Sequence, residues 1–277
     1  MLASLDGAHR RACKVRAHSE TAHGTYNRPL RTPPRGSPWA PASSAELHSV
    51  VSSLFNSSYV GLRPEIWQRV PPQAKTILDV GSSDGTLGAF LLQQRPDRRV
   101  FGVECDAQMA NVAASRLTGV TQADVESLDW SDVGDAGEFD CIIFADVLEH
   151  LRDPWTTLAR ATDRLSDDGV LIVSLPNVRH ISAAWSIYVD GGFPRRSRGI
   201  FDATHLRWFT PRDARRLCED AGLAPQRLDF TFRLFDRAGG FVNRIVSSQC
   251  WLRFVPLIRD LLGYQMVLSA RKKQIKI

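Results

Sequence analysis

Apolar residues fall along this chain in short unbroken runs, and between the runs they recur at helical spacing. Runs of four to seven apolar residues bounded by turn residues predict strands buried on both faces. They lie at Lys75–Val80, Arg99–Glu104, Val120–Ala123, Asp140–Ala145 and Gly169–Leu175. Helical patterning predicts helices over Thr86–Gln94, Ala107–Leu117, Pro154–Leu165 and Pro211–Ala221, with Pro154 suited to a first turn. Short helices are expected at Ala45–Phe55 and Pro64–Val70, ahead of the Pro71-Pro72 break. Strand–helix alternation of this kind predicts a parallel sheet with right-handed crossovers. The rhythm breaks near the end. Ala224–Leu234 and Gly263–Ala270 read as a terminal strand pair, interrupted by the apolar, Arg-punctuated segment Phe241–Leu262.

The segment Thr76–Gly88 carries the first chemical information. An apolar strand ends in Asp79, a turn of small residues follows (Gly81, Ser82, Ser83, Gly85), and a helix begins at once. Small side chains there let a ligand lie against backbone N–H groups at a helix start. Three more strands close on acids: Glu104, Asp124 and Asp146. Ligands of open parallel sheets bind beyond the carboxyl ends of the strands. Acids gathered there suit a ligand with hydroxyls, an amine and a positive centre, and suit a pyrophosphate poorly. Glu104 stands where an acid meets a ribose, and Asp124 where a carboxylate can accept from an adenine amine.

Charge is unevenly spread. The net charge of +5 is already reached within residues 1–45, which hold seven basic against two acidic residues, so the rest is neutral. A neutral folded part argues against a large nucleic-acid footprint. Residues 1–44, rich in Pro and Arg and without periodicity, are expected to be a disordered basic tail, with a targeting role as the alternative. The five scattered cysteines form neither a CxxC pair nor a metal-spaced cluster, so reduced thiols, a cytoplasmic setting and no metal are expected. No apolar run reaches the ~20 residues of a membrane span.

The ordered set of these features resembles the class I S-adenosylmethionine-dependent methyltransferases over about Ala45 to Lys272. The glycine turn matches that family's DxGxGxG motif except that Ser83 replaces the middle glycine. The phrases Asp146–Pro154, Ser174–His180 and Asp202–Pro211 are similar to bacterial small-molecule enzymes near the ubiquinone-biosynthesis O-methyltransferases and those of cell-surface glycan clusters. The resemblance implies a Rossmann-like, doubly wound, mostly parallel seven-stranded sheet with an antiparallel last strand. It implies that Asp79, Gly81, Ser83 and Gly85 hold the methionine part of S-adenosylmethionine. Glu104 would then hold the ribose, Asp124 and Val125 the adenine, and Asp146 would flank the sulfonium. Glu104→Ala is expected to lower cofactor affinity without unfolding the domain.

The acceptor expected is a small or lipid-linked molecule methylated on oxygen or nitrogen. A hydroxyl acceptor calls for a base. Of the histidines His150, His180 and His205, the candidates are His150 and His205, with Asp202 placed to orient a neighbour or to touch substrate. Residues 181–203 read as a lid, with Trp185, Tyr188 and Phe193 to stack on an acceptor and Arg195, Arg196 and Arg198 to hold an anion. The insert at 237–262 could rest on the inner face of a membrane or pair two copies into a homodimer. The competing readings are an NAD(P)-dependent oxidoreductase and a non-catalytic protein of the same fold.

Overall fold

In the computed structural model the described residues are 61–134, 137–233 and 255–273. The expected tail over 1–44, the helix over Ala45–Phe55 and most of the segment Phe241–Leu262 lie outside them.

Seven strands form one sheet: β1 Thr76–Val80, β2 Arg99–Glu104, β3 Gly119–Gln122, β4 Phe139–Ala145, β5 Leu165–Pro176, β6 Leu223–Phe232 and β7 Gly263–Lys272, in the order β3-β2-β1-β4-β5-β7-β6. Strands β1 to β5 pair in parallel, and β7 runs antiparallel between β5 and β6. The helices are α1 Pro64–Trp67, α2 Thr86–Gln94, α3 Ala107–Ala114, α4 Pro154–Asp163, α5 Ile181–Tyr188, α6 Pro211–Asp220 and α7 Pro256–Leu262.

Successive strand residues point to opposite faces, so a strand buried on both sides is apolar at nearly every position. In β1 and β4, Leu78, Val80, Ile142 and Phe144 enter one core, while Ile77, Cys141 and Ile143 enter the other. The first core also takes Leu158 of α4 and Leu217 of α6, and the second takes Leu87 and Leu91 of α2. Cys141 and Cys218 are buried thiols, and Cys105 is exposed.

Helix starts are set by capping side chains. Asp106 accepts from the N–H groups of Gln108 and Met109, Asp153 accepts from that of Thr156 ahead of Pro154, and Thr210 and Asp213 form a reciprocal capping box. Four helix ends differ from expectation: α1 stops at Trp67 rather than Val70, α6 stops at Asp220 rather than Ala221, and two more are displaced by specific contacts. The helix expected over Ala107–Leu117 stops at Ala114, because the Ser115 hydroxyl takes the Val112 carbonyl and Thr118 turns to accept the Val100 N–H. The helix expected over Pro154–Leu165 stops at Asp163, and Leu165, fully buried, instead pairs with Phe139 as the first residue of β5. The Arg164 guanidinium fixes that turn by donating to the carbonyls of Trp130, Val133 and Gly137.

The strand order reverses between β1 and β4. The crevice of an open α/β sheet lies there, outside the strand carboxyl ends. The turn after β1 and the turn after β4 therefore face one another, and the residues they carry make the site.

Candidate active site

Asp79, on β1, is 2% exposed, and its Oδ1 has no hydrogen-bond partner. Burial pushes its carboxyl up to about 7; the Arg63 charge pulls the other way and the Glu104 carboxylate adds to the rise. An unpaired buried carboxyl of this kind suits a cationic ligand group that brings its own hydrogen-bond donors.

The turn after β1 is built for close approach. Gly81 has φ 72°, and a Cβ there would stand 2.5 Å from Cγ2 of Val147 in the turn after β4. The N–H groups of Gly81 and Ser82 both bond the Val103 carbonyl, at 2.8 and 3.1 Å. Ser83 takes the left-handed conformation itself, with φ 50°, which costs a non-glycine residue of order 1 kcal/mol. Its N–H donates to Glu104 Oε2 at 2.8 Å, and this bond holds the conformation. The missing glycine is therefore replaced by a strained serine tied to the next strand's acid. Gly85, φ 78°, starts α2 and packs against Ala113 of α3.

Glu104 is buried between two turns, since its Oε1 also accepts the Asp106 N–H at 2.9 Å. Asp124, after β3, is exposed and accepts the Glu126 N–H at 3.0 Å, while the next residue, Val125, is buried. Asp146, after β4, has φ 59° and sits at the centre of a polar knot. Its Oδ2 accepts from Arg63 Nη1 at 2.8 Å and its Oδ1 from the Ser174 hydroxyl at 2.8 Å, with Gln265 Nε2 also donating to Oδ1. Arg63 and Gln265 each bond the Ser174 hydroxyl as well, at 3.0 and 2.8 Å.

The two histidine candidates lie together. Their rings meet edge-on, with centroids 4.7 Å apart. His205 Nδ1 lies 3.1 Å from the Ile200 carbonyl, and His150 Nδ1 lies 3.0 Å from Thr204 Oγ1. Asp202 accepts both the N–H and the hydroxyl of Thr204, so it acts on His150 through that threonine. Burial lowers both imidazoles from their ordinary range; the neighbouring His205 lowers His150 further, and the Ile200 carbonyl partly opposes the shift at His205. Both are neutral at pH 7. Glu149 lies beside them, 1% exposed, with Oε1 4.0 Å from His205 Nε2 and Oε2 without a partner. Burial, reinforced by Asp146, pushes its carboxyl well above the usual carboxylate range. The backbone carbonyl of Glu149 accepts the N–H groups of Leu206 and Arg207, which docks the 202–207 loop onto the turn after β4.

His180 does different work. It is fully buried, caps α5 through Ser182 and reaches the Arg233 carbonyl at 2.8 Å. In the segment expected as a lid, Trp185 and Tyr188 are exposed on α5, and Phe193 packs edge-on against Phe201 and Trp208. Arg195 donates to the Ala203 carbonyl and Arg196 to the Ser186 hydroxyl, so these two arginines brace the loop.

Sequence reading missed Arg63, Ser174, Gln265 and Glu149. Gln265, a lone amide inside the apolar run of β7, and Glu149, inside the phrase that ends in His150, carried a signal: each is a polar group in a setting that demands a partner. Arg63 carried none.

A mostly parallel sheet with acids at four successive strand ends and a glycine turn after the first defines a nucleoside-binding α/β protein. The family model for a methyltransferase domain matches residues 57–228, and the chain belongs to that family, the class I S-adenosylmethionine-dependent methyltransferases. A trans-aconitate 2-methyltransferase of Azoarcus sp. is 30% identical over 113 residues, 40% of this chain and 44% of that protein. A ubiquinone biosynthesis O-methyltransferase of Cereibacter sphaeroides is 29% identical over 163 residues, 56% of this chain and 63% of that protein. The chain thus spans less than two thirds of the length of these relatives. A SAM-dependent methyltransferase from Archaeoglobus fulgidus superposes with a TM-score of 0.53 at 15% identity, over 82% of this chain and 99% of that one, which is a likeness of fold.

Proposed function

We propose that this protein transfers a methyl group from S-adenosylmethionine to an oxygen, or a nitrogen, of a small or lipid-linked acceptor. The observation that carries the reading is Asp79. It is a buried carboxyl with an unpaired oxygen at the carboxyl end of β1, under a turn that Gly81 lets close against Val147 of the turn after β4. The donor set fits the cofactor group by group. Asp79 takes the ammonium of the methionine part, beside the backbone of Gly81, Ser83 and Gly85. Glu104 retains carboxylate lone pairs for ribose hydroxyls, Asp124 and Val125 meet the adenine, and Asp146 lines the sulfonium side.

S-adenosylmethionine, when bound, supplies an electrophilic methyl carbon on a positively charged sulfur. The protein's share is to align the nucleophile, exclude water and manage one proton. The neutral imidazoles of His150 and His205 are the groups proposed to take that proton from a hydroxyl acceptor. Residues 45–277 are read as the catalytic domain, with 181–203 over the acceptor side. Among the described residues no helix is long and apolar enough to cross a membrane.

The test is calorimetric titration with S-adenosylhomocysteine, with NAD in parallel, on the wild type and on Asp79→Asn. Micromolar binding of the sulfur nucleoside, weakened at least tenfold by the substitution, is expected. Binding of NAD alone would replace this reading with the oxidoreductase.

A further inference from the structure

We infer that Glu149, His150 and His205 form a binding site for one divalent first-row transition ion at the acceptor side of the cleft. One ligand atom from each residue can be chosen so that all three lie within 4.8 Å of one another. Ions of this class hold nitrogen and oxygen ligands at about 2.0–2.2 Å, so closing the three atoms onto one ion takes side-chain shifts of about 1 Å. Glu149 supplies the independent sign of a ligand. It is 1% exposed, its Oε2 has no partner, and its Oε1 stands 4.0 Å from His205 Nε2, too far for a hydrogen bond. An ion bound there would satisfy a carboxylate that the protein itself leaves unsatisfied.

The tautomers agree. A carbonyl oxygen only accepts, so the Ile200 carbonyl, 3.1 Å from His205 Nδ1, places the proton on that nitrogen and the lone pair on Nε2. His150 follows the same logic. Its Nδ1 faces the Thr204 carbonyl at 3.3 Å and the Thr204 hydroxyl oxygen, whose own proton goes to Asp202 at 2.7 Å. Histidine ligands of metals are oriented by such outer hydrogen bonds, to carbonyls or through a carboxylate. Two imidazoles and one carboxylate select Mn2+, Fe2+, Co2+ or Zn2+ over Mg2+ and Ca2+, and leave coordination positions open.

What the ion would do rests on the methyl-transfer reading. An acceptor hydroxyl occupying an open position would lose its proton to water more readily: the O–H bond breaks, its electron pair stays on oxygen, and the proton leaves through solvent. In that form the histidine lone pairs are engaged by the ion, and water takes over the role of base.

The experiment uses tag-free full chain, stripped with chelator and titrated with Co2+ and separately with Zn2+. S-adenosylhomocysteine binding is measured on every sample. One equivalent of Co2+ per chain is expected, with affinity reduced at least tenfold in Glu149→Gln and in His205→Asn while nucleoside binding persists. Pulsed EPR of the Mn2+-loaded wild type supplies a second reading that does not depend on either variant folding, with coupling to imidazole nitrogen expected. Substoichiometric metal binding, wild-type affinity in both variants, or no nitrogen coupling would overturn the site. Metal binding without nucleoside binding would leave the site standing and sink the methyl-transfer reading instead.

Discussion

Arg63 and Asp146, 83 residues apart in sequence, form an ion pair of 2.8 Å whose side chains are each 19% exposed. Both residues have positive φ, 44° and 59°, and both lie at chain reversals, one before α1 and one after β4. The pair fastens the segment ahead of the sheet to the turn that carries Glu149 and His150. The same guanidinium lowers the proton affinity of Asp79, so one arginine serves both sides of the cleft.

Removing Arg63 leaves Asp146 with the Ser174 and Gln265 bonds but no opposite charge. Arg63→Met is expected to lower stability by about 2–3 kcal/mol, below the range for fully buried pairs because water still reaches this one. Urea denaturation measures that loss. S-adenosylhomocysteine affinity should fall as well at pH 7, because Asp79 without the arginine holds its proton more tightly. A variant that loses stability but keeps wild-type affinity would show that Arg63 acts on the fold alone.

As the proposed partner of the cofactor's ammonium, Asp79 should make nucleoside binding sensitive to pH near neutrality. Its folded-state value of about 7 lies above the ordinary carboxylate range because the group is buried. Only the ionised carboxylate pairs with an ammonium, so S-adenosylhomocysteine affinity should fall as pH drops below about 7, by up to tenfold per unit. Stability runs the other way. Between the unfolded value near 4 and the folded value near 7 the folded chain holds a proton that the unfolded chain has lost, so this group weakens the fold progressively as pH rises through that window. Asp79→Asn, which cannot ionise, should match the wild type near pH 4 and exceed it in thermal stability at pH 8. A flat affinity profile from pH 5.5 to 8.5 would remove Asp79 from the cofactor's ammonium.

The sheet was legible because its signals are local. Ile77, Leu78, Val80 and residues 141–145 are apolar because both faces of their strands are buried, Asp79 being the one charged exception, and β2 and α2 have their expected bounds. Strand-end acids were equally readable, since topology alone brings them to one edge. The Arg63–Asp146 pair and the Glu149 group were not. Each depends on where a loop folds back in space, as when the N–H groups of Leu206 and Arg207 close on the Glu149 carbonyl, and no spacing in the sequence encodes that meeting. His180 shows the opposite limit: a cap for α5 and a site residue look alike until the partner of the ring is seen.

Glu104, proposed to hold the ribose, also serves the fold. Its two oxygens accept the Ser83 and Asp106 N–H groups, so Glu104→Ala leaves two backbone donors without partners and lets the strained Ser83 relax. The expectation of affinity lost without unfolding therefore gains a cost: about 1–3 kcal/mol of stability. Glu104→Gln retains one acceptor oxygen and should cost less. Melting temperature and S-adenosylhomocysteine titration on both variants separate the roles, and unchanged affinity in a folded Glu104→Ala would take the residue out of the cofactor site.

Gly81 and Val147 test whether the two turns must touch. A Cβ on Gly81 would lie 2.5 Å from Val147 Cγ2, and the backbone φ of 72° adds strain for any side chain. Gly81→Ala should cost about 2–4 kcal/mol, combining left-handed strain with the clash. Val147→Ala removes the clashing methyl, so the double variant should recover the steric part and keep the conformational part, giving a coupling of about 1–2 kcal/mol in a double-mutant cycle by urea denaturation. Additive losses would mean that the turns are independent. Coupling, with cofactor affinity restored alongside stability in the double variant, would mean that the spacing between the turn after β1 and the turn after β4 sets the width of the binding crevice.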